Sequence, residues 1–186
     1  MKARRTLLLT GKFNLILLVI LLPGINSSQA QTNQSVYTNL EAKFCRTIKS
    51  DPSEGGDYQG RCSGVAGYAL LVSEGDLRQN ITVITPQRKQ YSLELWSVVS
   101  SAFSSLGPKA EWRMKSKTSP VALIVRYNAS ENPEKPDKTT SYLVVTKITP
   151  KEICVTNRIP SGATANEDAR RLADQADNKP CLKANQ

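Results

Sequence analysis

The side chains that could do acid–base chemistry in this chain are mainly carboxylates, because its 186 residues include no histidine. Histidine is the commonest general base and the usual partner of a nucleophilic serine or cysteine, so most nucleophilic mechanisms are disfavoured. Two carboxylates at a working separation could still hydrolyse a glycan, one as the acid and the other as the base or nucleophile. Four candidates lie near the ends of predicted strands: Glu74, Asp76, Glu94 and Glu111. Since Glu74 and Asp76 flank a glycine, a role in a turn is favoured for both, and no residue is assigned a catalytic role.

The four cysteines could form disulfides or bind a metal ion. Structural zinc sites use cysteines two to four residues apart, whereas the nearest two here are separated by seventeen positions. An even number of cysteines in an exported chain favours disulfides, and four cysteines allow three connectivities. The spacing favours local pairing, Cys45 with Cys62 and Cys154 with Cys181, and neither a metal nor another cofactor is expected.

A cationic segment is the best candidate for a binding surface. As a strand, it places Arg113, Lys115 and Lys117 on one face, and Trp112 and Met114 on the other. The charged face could bind a phosphorylated lipid, an anionic glycan or an acidic protein. The alternative, which the pattern favours, is that these charges protect an edge strand from aggregation. The candidate binding residues are Trp112, Arg113, Lys115 and Lys117.

Residues 1–30 have the layout of a secretory signal peptide. Four basic residues precede an apolar segment, Phe13–Leu22, and the small-x-small pattern of Ser28–Ala30 follows it. An uncleaved signal anchor is the alternative, although about ten apolar residues are short of the roughly twenty that span a bilayer. Export implies a periplasmic or secreted protein, and no later segment is long enough to predict a membrane span.

Cleavage after Ala30 leaves residues 31–186, which we interpret as a single disulfide-linked domain. The signal contains four of the 25 basic residues and no acidic ones, so the net charge falls from +9 to +5. A charge of +5 is compatible with an anionic partner, but it is low for a nucleic-acid-binding protein and the aromatic residues are few.

The remaining sequence predicts a mainly β domain of the α+β class, an antiparallel sandwich or partial barrel of about seven strands. Short apolar or alternating runs predict the strands Tyr68–Val72, Leu77–Ile84, Tyr91–Leu95, Ala110–Ser116, Val121–Tyr127, Ser141–Ile148 and Ile153–Val155. Residues 36–48 read as a short strand followed by a turn or a helical turn, and residues 97–108 as a loop or a short helix. One C-terminal helix is predicted, because a capping box at Thr164–Glu167 opens an alanine-rich stripe that runs to Ala176.

Several segments resemble a family of uncharacterised exported bacterial proteins of unknown function. The resemblance rests on Gly64–Tyr68, Glu74–Arg78, Phe103–Arg113 and Ile153–Val155, and it would extend over most of residues 31–186. It implies a bacterial envelope setting and no mechanism. Together with the absence of catalytic motifs, it favours a non-catalytic domain that binds an envelope component or a protein. The alternative is a carboxylate-dependent hydrolase of envelope polymers.

Overall fold

The computed structural model describes residues 33–51 and 56–184, so the predicted signal peptide and its cleavage site lie outside the described residues. The strands are β1 Gln34–Asn39, β2 Cys45–Asp51, β3 Asp57–Ser63, β4 Ala69–Gly75, β5 Arg78–Ile84, β6 Gln90–Ser92, β7 Ser104–Ser116, β8 Ser119–Ala129, β9 Thr140–Ile148 and β10 Ile153–Pro160. The helices are α1 Leu95–Val98 and α2 Ala165–Ala173, with 3-10 turns at Ala42–Phe44 and Ala176–Asn178. The mainly β fold with one main C-terminal helix is therefore confirmed.

The strands form one open sheet with two halves. Strands β2 to β5 are neighbours in sequence and in space, and β6 adds to β5. Strands β7 to β10 form the second series, and β1 pairs with the other edge of β7. The pairings are antiparallel except between β5 and β7, which meet in parallel at Arg78 and Ser104. We call β2–β6 the open half and β1 with β7–β10 the covered half.

The hydrophobic core lies between the two halves, which gives the fold the character of an α+β sandwich. Leu70 and Ile81 of the open half belong to the same buried cluster as Trp112, Leu123 and Val144 of the covered half. These side chains alternate along their strands with outward-facing ones, as a half-buried strand requires. Each half therefore has one face in the core and one face directed outward.

Helix α2 packs on the outer face of the covered half. Its alanine stripe (Ala165, Ala169 and Ala173), continued by Ala176 of the following turn, contacts a second buried cluster that includes Ile124 and Val145. The small alanine side chains allow a close approach to the sheet. The predicted capping box is not formed, because the Thr164 hydroxyl donates to the Asp168 carboxylate at 2.8 Å instead of capping a backbone N–H.

Both predicted disulfides are present. Cys45 and Cys62 are directly opposed on β2 and β3, so their bond joins the edge strand of the open half to its neighbour. Cys154 of β10 is bonded to Cys181, which holds the segment after α2 against the covered half. The Leu182 N–H then donates to the Val155 carbonyl at 2.7 Å.

Candidate functional site

The predicted cationic surface is not formed, because two of its four residues are buried. The alternation along β7 is as expected: Trp112 points into the core, where it is fully buried, and Arg113 points to the opposite face. That opposite face is covered by α2, which leaves Arg113 only 6% exposed. The prediction of an exposed Arg113 is therefore wrong, since a strand pattern does not show which face a distant helix will cover.

Lys115 and Lys117 are exposed, but they occupy different settings. Lys115 lines a groove of about 780 Å³ whose other lining residues include Asp174 and Asp177. Lys117 lies in the two-residue turn between β7 and β8. Because bulges interrupt the β7–β8 pairing after Arg113, the three basic residues do not form a continuous charged row.

Arg113 belongs to an ionic network that fastens α2 to the sheet. Its guanidinium donates to both carboxylate oxygens of Asp174, at 2.8 and 2.7 Å, and to the Ser35 hydroxyl. The neighbouring Glu111 accepts from Ser35 at 2.5 Å and from Arg170 of α2 at 2.7 Å. The network thus connects β1, β7 and α2, and it accounts for Arg113, one of the three basic residues that the sequence suggested as a binding surface.

Three of the four candidate carboxylates, Glu74, Asp76 and Glu111, have partners of their own, and Glu94 is exposed just before α1. Glu74 accepts a hydrogen bond from the Gln79 amide at 2.7 Å, and Asp76 forms an ion pair with Arg78. Burial alone would raise the pKa of the Glu111 carboxyl, but hydrogen bonds from Arg170 and Ser35 lower it below its ordinary value. A general acid needs a raised pKa, so Glu111 is poorly suited to donate a proton to a leaving group.

We expect Glu111 to make the stability of the domain sensitive to acid. Its pKa in the folded state lies below the ordinary value of 4.5. The ionised carboxylate therefore contributes stability above that value, and the contribution is lost as the pH falls through the folded pKa. Denaturant midpoints measured for the wild type and for Glu111→Gln should show a steeper decline in the wild type below pH 4.5. Parallel curves would contradict this role.

The outer face of the open half, which is directed away from the core, carries mostly polar side chains and is not covered by helix α2. We call it the open face. Since residues paired across strands share a face, its members follow from the register: Arg46, Lys49, Gln59, Arg61, Leu71, Ser73, Asn80 and Thr82. All eight are exposed or half-buried. Helix α2 packs instead on β8, β9 and β10.

Two arginines lie directly opposite each other on this face. Arg46 of β2 is the cross-strand partner of Arg61 of β3, next to the disulfide between Cys45 and Cys62. Within residues 33–51 and 56–184, neither guanidinium takes part in an ion pair or hydrogen bond. Like charges directly opposed across two strands destabilise a sheet, by up to about 1 kcal/mol. An anion bound between the two guanidiniums would reverse the sign of this interaction.

The arginine pair lies at a depression that could receive such an anion. A pocket of about 410 Å³ is lined by both arginines, by Ser63 at the end of β3 and by the loop that follows, including Gly64 and Tyr68. Guanidinium groups bind carboxylate and phosphate in a bidentate manner. By contrast, Lys49 on the same face is already paired with Asp57 at 2.5 Å. The arginine pair is therefore the part of the open face best suited to a negatively charged group.

No family model, curated protein or solved structure matches the chain. In the described ranges, no helix is long and apolar enough to cross a membrane.

The arginine pair was missed by sequence reasoning, although a signal for it exists. Cys45 is followed by Arg46, and Arg61 is followed by Cys62, so the two dipeptides mirror each other. If two cysteines are bonded as opposed residues of antiparallel strands, their inner neighbours are opposed as well. The predicted disulfide therefore implied the juxtaposition of the arginines, provided that the loop between them was recognised as a hairpin.

Proposed function

We propose that this chain is an exported, non-catalytic domain that binds an anionic component of the bacterial cell envelope through its open face. The observation that carries the proposal is the opposed pair Arg46 and Arg61, which are accessible and have no counter-charge among the described residues. Two guanidiniums held next to each other offer several parallel donors to one carboxylate or phosphate group. The proposed setting, periplasmic or secreted, is supported by the signal-like residues 1–30, the two disulfides and the resemblance to exported bacterial proteins.

The arrangement favours binding over catalysis. The chain contains no histidine, Glu111 is held ionised within the α2 network, and Glu74 and Asp76 each have a local partner. The arginine pocket is lined by arginine, serine, cysteine, glycine, tyrosine and alanine, with no carboxylate among them. These groups can bind and orient an anion, but they do not supply the acid and base that glycan hydrolysis needs.

The test is retention of the oxidised domain, residues 31–186, on isolated envelope fractions. Arg46→Gln with Arg61→Gln should weaken binding at least tenfold, since losing charge-assisted hydrogen bonds costs about 1.5–3 kcal/mol each. Binding of the wild type should also fall as salt is raised, because the arginines lie at the surface.

A matched control removes the same charge elsewhere. Lys135 and Lys138 are exposed in the loop between β8 and β9, and Lys135→Gln with Lys138→Gln lowers the net charge by the same two units. This variant should be retained like the wild type. An equal loss in both variants would show that only overall charge matters, and no retention of the wild type would overturn the proposal.

A further inference from the structure

A second feature of the open face is an exposed tryptophan at the end opposite the arginine pair. Asn80 positions it: its side-chain oxygen accepts from the Leu95 N–H at 3.1 Å, and its amide donates to Ser92 at 2.9 Å. These contacts fix the start of α1, so that Leu95 is fully buried and Trp96 remains 49% exposed. Tryptophan is enriched at binding interfaces, because its large apolar ring carries an N–H donor at one edge.

Trp96 lines a pocket of about 510 Å³ whose other side chains are small and polar. They are Ser73, Asp76, Arg78, Asn80 and Ser101, with the backbone of Gly75. The one cation here is neutralised, because Arg78 is paired with Asp76. Arg78 is also held in place, since it donates to the Ser101 carbonyl at 2.9 Å and stacks on the Phe103 ring at 4.9 Å. The pocket thus offers a flat apolar surface beside fixed hydrogen-bonding groups and no unpaired charge.

This combination matches the chemistry of a sugar ring. One face of a pyranose presents C–H groups that pack on an aromatic ring, while its hydroxyls point sideways to hydroxyl, amide and guanidinium groups. An extended acidic peptide would instead be expected to pair with a free strand edge, and a helix would need an apolar groove. The Trp96 pocket provides neither, because it lies on the face of β4 and β5.

The arginine pair and the Trp96 pocket are close enough for one polymeric ligand to contact both. Arg61 lies on β3 and Asn80 on β5, two strand spacings across the sheet and two residues along the strand, which is roughly 12 Å. The surface between them is formed by Leu71, Ser73 and Thr82, which are uncharged. We infer that the ligand is an acidic polysaccharide, with an anionic sugar substituent on Arg46 and Arg61 and a sugar ring stacked on Trp96. This inference rests on the proposed function and specifies its ligand class.

Tryptophan fluorescence can test the inference directly. The chain has two tryptophans, and Trp112 is fully buried, so acrylamide quenching by collision reports on Trp96. Alginate, whose acidic group is a carboxylate, and a phosphomannan, whose acidic group is a phosphate, distinguish the two sources of negative charge. Poly-glutamate supplies the same charge without sugar rings. At least one of the two polysaccharides should protect Trp96 from quenching and bind tenfold or more tightly than poly-glutamate.

Substitutions of Trp96 and of the arginine pair distinguish this inference from the proposed function. The affinity of each variant for the polysaccharides and for poly-glutamate is measured by calorimetry. Trp96→Ala should lose at least tenfold in affinity for the polysaccharide and leave poly-glutamate binding unchanged, while Trp96→Phe should retain most of the affinity. Arg46→Gln with Arg61→Gln should weaken every anionic ligand. If poly-glutamate binds as tightly as both polysaccharides and Trp96→Ala has no effect, the sugar inference is overturned although anion binding stands. If the arginine variant also has no effect, both are overturned.

Discussion

Replacing Arg113 by alanine is expected to lower the free energy of unfolding by about 3 kcal/mol, close to the lower end of what is lost when one partner of a buried ion pair is removed. The guanidinium is almost fully buried beneath α2 and makes two hydrogen bonds to Asp174. Without it, the Asn33 amide is the one partner that the Asp174 carboxylate keeps among the described residues, and the end of α2 loses its ionic contact with β7. Thermal or urea unfolding followed by circular dichroism measures the loss.

Arg171 supplies the control on the same helix. It pairs with Asp168 across one turn, with a side chain that is 59% exposed. Exposed pairs of this kind contribute about 0.3–0.5 kcal/mol, so Arg171→Ala should change stability by no more than that. The double variant Arg113→Ala with Asp174→Ala should be more stable than the sum of the single losses predicts, because no uncompensated charge is left. Equal losses for Arg113→Ala and Arg171→Ala would contradict a buried anchor.

Loss of either disulfide should cost about 3 kcal/mol, but only one of them should affect binding. In the chain-entropy model, loops of 17 and 27 residues correspond to about 3 and about 3.5 kcal/mol. Cys45→Ser with Cys62→Ser also frees the edge strand β2, which carries Arg46, from its fixed position opposite Arg61. We therefore expect this variant to bind anionic ligands several-fold more weakly than the wild type.

Cys154→Ser with Cys181→Ser is the matched variant, since this bond ties the C-terminal segment to β10 in the covered half. It should show a similar loss of stability, measured by denaturant unfolding, with unchanged affinity on the folded protein at low denaturant. If both variants bind like the wild type, the first disulfide does not position the arginine pair. If both weaken binding equally, the effect is a general loss of stability.

Local patterns were enough to predict much of this fold. The alternation in β7, the apolar runs of β8 and β9, the alanine stripe of α2 and the two disulfides all followed from patterns along the chain. Strands β2 and β3 were not predicted, because Cys45–Asp51 and Asp57–Ser63 are mostly polar and lack a clear alternation. They are strands because β3 pairs with β4 and β2 pairs with β3, to which the disulfide also joins it, and these are tertiary effects.

The candidate site was harder to predict than the fold. The alternation of Trp112 and Arg113 was correct, yet the covering of Arg113 by α2 depends on contacts between residues about sixty positions apart. The sequence did not predict whether the Trp96 side chain would be buried or exposed. Its exposure depends on the hydrogen bonds that Asn80 makes to Leu95 and Ser92. A binding surface is defined by which faces remain uncovered, and that is decided only when the whole chain has packed.

The bond between Cys45 and Cys62 also bears on when the open face becomes competent to bind. In a reducing cytosol the two thiols stay unbonded, so the edge strand that carries Arg46 is held only by its backbone hydrogen bonds. The mutual repulsion of the two guanidiniums then acts against the pairing of β2 with β3. Oxidation joins the two strands at Cys45 and Cys62 and holds the two arginines opposite each other for as long as the bond is intact. With the export and the anion binding proposed above, a newly made chain gains its full affinity for polyanions only after reaching an oxidising compartment, away from the nucleic acids of the cell.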